Sequence, residues 1–266
     1  MAAMTFGCSV PAAYAQLAAE MGYEYVEVPA ADLHPSGTYR EFAPTIRAIE
    51  AAGIPAAAVN WLVPAVLPII GPSVDTPSLR RYVRVASERA AALGCRVFGL
   101  GSGAARWVPA GFSMATATEQ FRAFAIMAAE VAGRRGIVVA IEAINRIEAN
   151  FLHSFDEAVQ TARTIGSPNL GVLADSYHMH MEDEPFWHLL RSGSLLRHVQ
   201  VSDAGRAYPG SGGIDLFGFF AYLNCLGYSG TVSVECRWRS FIAEGRPALD
   251  FVRGASATPV APTFAP

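Results

Sequence analysis

The chain predicts a single α/β domain, a (β/α)8 TIM barrel, and three observations carry that prediction. Eight short β-rich runs alternate with longer amphipathic stretches. Most of the runs are continuously apolar, as strands of a parallel sheet covered on its outer face must be. Glycine stands at the close of seven helical stretches (Gly22, Gly53, Gly94, Gly136, Gly166, Gly193 and Gly227), where helices commonly end in a left-handed residue. A length of 266 residues suits one α/β barrel. A doubly wound open sheet is the competing arrangement.

The elements follow in order. Strands are predicted at 4–10 (MTFGCSV), 23–29 (YEYVEVP), 54–62 (IPAAAVNWL) and 95–101 (CRVFGLG). Four more follow at 137–144 (IVVAIEAI), 170–176 (LGVLADS), 197–203 (RHVQVSD) and 231–237 (TVSVECR). Helices are predicted at 12–22, 38–53, 77–94, 116–136, 154–166, 184–193 and 214–227. Thr116 with Glu119, and Ser154 with Glu157, have the spacing of a capping box at a helix start. Long Pro/Gly-punctuated loops follow the third strand (60–75) and the fourth (101–113), on the face where a barrel builds its site. The barrel is expected over 1–254, with 255–266 a Pro/Ala-rich tail.

Composition narrows the function classes. The chain is 52% hydrophobic and 16% charged, with a net charge of −3 and no basic run, which argues against nucleic acid as a partner. All twenty basic residues are arginine. Without lysine there is no Schiff base, no PLP attachment and no P-loop, so carbonyl activation points to a metal. No GxSxG elbow and no complete GxGxxG site occurs, which removes a serine hydrolase and a nucleotide cofactor. Four scattered cysteines, no signal-like start and no 18-residue apolar run predict a cytoplasmic protein with no membrane partner.

Glu142, Asp175 and Glu235 lie near the C-terminal ends of the fifth, sixth and eighth strands, and Gln200 holds the comparable place on the seventh. Side chains alternate along a strand, so residues of one parity point into the barrel mouth. Carboxylates in apolar surroundings need a partner. Arg146 or Arg237 would serve structurally, whereas three acids with an amide oxygen make a hard site for a divalent cation.

IEAINRIEAN (141–150), LADSYHMH (173–180), HVQVSDAGRAYPGSGGIDL (198–216) and SVECRW (233–238) resemble the xylose isomerase-like barrel superfamily. The resemblance is strongest to its D-tagatose/D-allulose 3-epimerase and L-ribulose epimerase branch, and YVEVPA (25–30), GPSVD (71–75) and GLGSGAARWVPAGF (99–112) extend it over nearly the whole chain. It implies one divalent ion, Mn2+ or Mg2+, held by Glu142, Asp175, Gln200 and Glu235. It also implies that Glu142 and Glu235 form the acid/base pair, with Glu148, His178 and Arg206 on the sugar. The implied activity is a metal-dependent isomerase or epimerase that moves a proton beside the carbonyl of a ketose or keto-polyol, inverting C3 through a metal-stabilised enediolate. A homodimer or homotetramer is the implied assembly.

Gln200 departs from the pattern, since histidine is the usual residue there. An amide oxygen is harder than an imidazole nitrogen, which favours Mn2+ or Mg2+ over Zn2+. Two alternatives stay open: a metal-dependent lyase or dehydratase of a keto-sugar or cyclic keto-polyol, and a metal-free sugar-binding barrel. His198 shares the parity of Gln200 but sits deeper, as a satisfied core histidine would. Trp61 and Trp107 either stack on a sugar face or pack their loops. The glycine-rich segments GLGSG (99–103) and PGSGG (209–213) offer N–H groups to a phosphate, although an unphosphorylated substrate is favoured.

Overall fold

The computed structural model describes residues 3–259. Eight parallel strands form a closed barrel in sequence order, β1 (Thr5–Ser9), β2 (Tyr25–Pro29), β3 (Ala58–Asn60), β4 (Val97–Leu100), β5 (Val138–Glu142), β6 (Leu170–Asp175), β7 (Leu196–Val201) and β8 (Thr231–Val234). Around it lie α1 (Ala15–Glu20), α2 (Tyr39–Ala52), α3 (Thr76–Ala92), α4 (Met114–Gly133), α5 (Phe155–Ile165), α6 (Ser176–Met181), α7 (Leu216–Leu226) and α8 (Phe241–Ala257). The open-sheet alternative is thereby removed. Closure pairs β1 with β8, Cys8 opposite Val234.

The main apolar core lies between strands and helices, and a small second one, Tyr25, Ala58, Val97, Ala140 and Leu173, fills the barrel interior. Tyr25 occupies that interior because Gly7 leaves it room: a Cβ on Gly7 would stand 2.4 Å from the Tyr25 ring. The Tyr25 hydroxyl meets Ser233 Oγ at 2.9 Å. One step nearer the C-terminal mouth the same parity carries Glu27, Glu142, Asp175 and Gln200, all buried.

Each predicted strand is present, shortened by one to several residues, and the seven helix-closing glycines all have positive φ. Ser154 and Glu157 form the expected capping box, and Thr38 with Glu41 forms another. Thr116 does not cap α4: Ser113 does, accepting from the Thr116 N–H, because the Met114–Ala115 turn is already helical. Residues 184–193 hold a 3-10 segment, Phe186–Arg191, rather than an α-helix. The helix expected at 12–22 is a 3-10 turn, Ala12–Tyr14, running into α1. α8 runs through 255 to Ala257, so the last helix extends into the stretch read as a tail, of which 260–266 lie outside the described residues. No helix among the described residues is long and apolar enough to cross a membrane.

Candidate active site

The strand register brings the predicted residues to one mouth. Asp175 pairs with Gln200 across β6 and β7, Gln200 pairs with Ser233 on β8, and Glu142 closes β5 opposite Leu173. Glu235 follows β8 directly, its N–H continuing the ladder to Val201 O at 3.0 Å. The mouth opens into a cavity of about 550 Å3 lined by Glu142, Glu148, His178, Arg206 and Glu235, among others. Asp175 and Gln200 are not part of that lining and lie buried.

Local bonds fix each group. Asp175 caps α6, its Oδ1 accepting from Tyr177 N–H at 2.8 Å, while its Oδ2 finds no hydrogen-bond partner. Gln200 Nε2 donates to Glu27 Oε1 at 2.8 Å, and Gln200 Oε1 also has no partner. A carboxylate only accepts, so Glu27 holds the amide with its NH2 inward and its oxygen free. Glu142 Oε1 and Asp175 Oδ2 each lie 3.6 Å from His178 Nε2, and donor atoms of the three residues fall within 4.8 Å of one another. Glu142 needs Gly101, on which a Cβ would stand 2.1 Å from Glu142 Oε2.

The charges are strongly perturbed. Burial, then Glu235 and Asp175, raise the Glu142 carboxyl well above its ordinary range. Burial, then the Asp175 charge, push Glu235 up to about 8, and burial raises Asp175 to about 6. His178 is lowered to about 2 by burial and by Arg206, so it is neutral. The backbone N–H of Asn145 donates to its Nδ1 at 3.1 Å. Arg206 Nη2, which can only donate, stands 2.8 Å from its Nε2. Burial would lower the Arg206 pKa, but Asp175, Glu235 and Glu148 outweigh it and raise it. Arg206 reaches Glu148 Oε2 at 3.2 Å and Glu235 Oε2 at 3.3 Å, and stacks over Tyr177 at 4.5 Å.

Asp175 Oδ2, which lies 3.7 Å from Arg206 Nη1 but accepts no hydrogen bond, and Gln200 Oε1, also without one, are with the crowded carboxylates what a hard divalent cation would satisfy. The residues present therefore fit such an ion.

The xylose isomerase-like TIM barrel family matches residues 15–255. The chain belongs to that family. It is 35% identical over 116 residues to a ketose 3-epimerase of Arthrobacter globiformis, covering 43% of this chain and 40% of that protein. It is 31% identical over 112 residues to a 3-dehydro-D-guloside 4-epimerase of Escherichia coli (strain K12), covering 42% and 43%. The matched segments thus span about two fifths of these relatives. In structure it superimposes on a D-allulose 3-epimerase from Methylomonas sp. with a TM-score of 0.82 at 21% identity, covering 96% of this chain and 99% of that one, a likeness of fold.

Several residues of this family member's site went unread in the sequence. Asn60 Nδ2 donates to Glu235 Oε1 at 2.5 Å, and Asn60 Oδ1 accepts the Trp61 N–H at 2.7 Å. Fully buried Arg106 donates to the Glu142 carbonyl at 2.7 Å, and burial lowers its pKa to about 10. Glu27 sits in the interior of its strand; the alternation that picked out Gln200 also places Glu27 inward, and that was the available signal. His198 is a satisfied core residue, with Nδ1 2.7 Å from Thr231 Oγ1 and Nε2 3.3 Å from Glu27. In the PGSGG loop the Gly210 N–H donates to Asp203 at 3.0 Å and the Ser211 N–H to the Tyr208 carbonyl at 3.2 Å. Trp61 lines the cavity, whereas Trp107 does not. Arg146 pairs with Glu182, away from the acids. All four cysteines are free, and Cys225 is exposed.

Proposed function

We propose that this protein is a metal-dependent ketose epimerase that removes and returns a proton beside a carbonyl, inverting C3 of a ketose or related keto-polyol. The observation that carries the reading is the convergence at one mouth of Glu142, Asp175 and Glu235 beside two unpartnered oxygens, one of them on Gln200. The names of the relatives, a ketose 3-epimerase and L-ribulose 3-epimerases among them, support it.

Glu142, Asp175, Gln200 and Glu235 are assigned as the residues that hold the cation. When bound, the ion supplies Lewis-acid polarisation of the carbonyl. The oxygen-only set favours Mn2+ or Mg2+ over Zn2+. Glu142 and Glu235 are assigned the proton transfers: burial and neighbouring carboxylates raise both carboxyls, Glu235 to about 8. Asn60 orients Glu235 through its Oε1. Arg206, hydrogen-bonded to His178 at 2.8 Å, is assigned with it the contact to substrate oxygens. Glu148 holds Arg206 in place. The unpaired cysteines support a reducing, cytoplasmic setting. Strongly exposed apolar residues such as Val66 and Ile147 support assembly as a homodimer or homotetramer.

The test is to incubate the Mn2+-loaded protein with keto-sugars in D2O. Deuterium entering at C3 of both epimers is expected. An enone absorbance without exchange into recovered ketose would establish the lyase instead. A protein that refuses added Mn2+ would overturn both.

A further inference from the structure

A second cavity, of about 540 Å3, adjoins the first, and Pro29, Trp61, Ser102, Gly103 and Ala104 line both. No aspartate, glutamate or arginine lines the second cavity, whose remaining surface is mostly alanine, proline, valine and tyrosine. The active-site cavity is already large enough for a complete small ligand. A free sugar does not need the second one.

The walls are built in conformations the chain does not adopt freely. Six non-glycine residues among those described have positive φ, and three of them, His34 (47°), Trp61 (50°) and Ser102 (41°), line this cavity. Each such residue persists only where its surroundings impose it. Those surroundings are specific. Arg89 donates to the carbonyls of Leu33 and Gly37, both at 2.9 Å, and to that of His34. Ser102 Oγ accepts from Val63 N–H at 3.0 Å, tying the loop after β3 to the loop after β4. Asn60 binds the Trp61 N–H with one end of its amide and Glu235 with the other. The three loops are therefore pinned in place, one of them on the proposed acid/base residue, and the Trp61 ring stays 62% exposed on the shared wall. A pinned, uncharged, apolar chamber opening onto a polar site suits a neutral ring attached to the reacting sugar.

We infer that this chamber is a substrate subsite for a neutral, ring-shaped apolar substituent, so that the substrate class is keto-sugars that carry an aryl or similar group. This rests on the epimerase reading above for the sugar end alone. The test compares the 4-nitrophenyl and methyl β-glycosides of 2-keto-D-glucose, whose C3–H lies beside the carbonyl, with Mn2+-loaded protein, reading deuterium exchange at C3 from D2O as kcat/KM. The aryl glycoside is expected to exceed the methyl one by about tenfold or more. Ala65→Trp, a change on an exposed part of the chamber wall, should bring that ratio close to one. A wild-type ratio near one, or a ratio untouched in A65W, overturns the subsite. If neither compound exchanges while D-fructose does, the subsite is overturned; if D-fructose also fails, the epimerase reading fails, and calorimetric binding of 4-nitrophenyl against methyl β-D-glucoside decides the subsite separately. Equal affinities there overturn it, and tighter aryl binding lost in A65W upholds it.

Discussion

Glu27→Gln is the sharpest perturbation of the proposed centre, because it changes one atom of a residue that touches neither cavity. In the wild type Glu27 Oε1 accepts from Gln200 Nε2 at 2.8 Å, which forces the Gln200 oxygen outward. An amide at position 27 offers both a donor and an acceptor, so Gln200 is satisfied in either orientation, and one of them turns NH2 toward the cation. A hydrogen bond to a charged group contributes about 1.5–3 kcal/mol. Loss of an outer partner typically weakens metal binding by about 10–100-fold, equivalent to about 1.4–2.8 kcal/mol, so the two magnitudes agree. Mn2+ affinity, measured by calorimetry or by the EPR signal of free Mn2+, is expected to fall by that factor. The control is a cycle with Gln200→Ala: once residue 200 has no amide, E27Q should no longer affect the metal. Circular dichroism and thermal unfolding in chelator report on the fold separately, since His198 also loses a charged partner. Affinity in E27Q within about twofold of wild type, or the same loss in the Q200A background, would refute the reasoning.

Other outcomes follow from the same geometry. Gly101→Ala places a Cβ where Glu142 Oε2 now lies, and should cost about a hundredfold in exchange rate with little change in unfolding temperature. Glu235→Gln should lower deuterium exchange by about 10^2–10^4-fold while circular dichroism stays unchanged; full activity would remove the proton-transfer assignment. The folded-state pKa values of Asp175 and Glu235 are raised, to about 6 and about 8, so their stabilising contribution is complete below about pH 4 and is lost as pH rises through those values. Metal-free protein should therefore lose stability from pH 5 to 9. The gain in melting temperature on adding Mn2+ should widen over the same interval, because binding displaces those protons.

Much of this was legible because barrels repeat a simple rule. Alternation along each strand places Glu142, Asp175, Gln200 and Glu235 inward, and the register brings Asp175 level with Gln200. What stayed hidden depends on neighbours remote in sequence. Asn60 and Glu235 are 175 residues apart, and Arg106 reaches Glu142 from a loop that no local pattern marks. α8 escaped because Gly245, Pro247 and Gly254 read as breakers, while burial of Leu249 and Val252 overrides them. His178 looked like a substrate contact, and only the turn of α6 brings its Nε2 within 3.6 Å of two acids.

The two-ended amide of Asn60 carries a consequence for anyone who alters this protein. Its oxygen anchors the backbone of Trp61 and its nitrogen anchors Glu235. Aspartate at this position offers no N–H to Glu235, and serine is too short to span both. The loop after β3 is consequently not an interchangeable cassette: a graft that shifts Trp61 drags with it the carboxylate proposed for proton transfer. The same linkage makes Trp61 a built-in optical probe, since anything that moves Glu235 is felt at an indole left open to solvent.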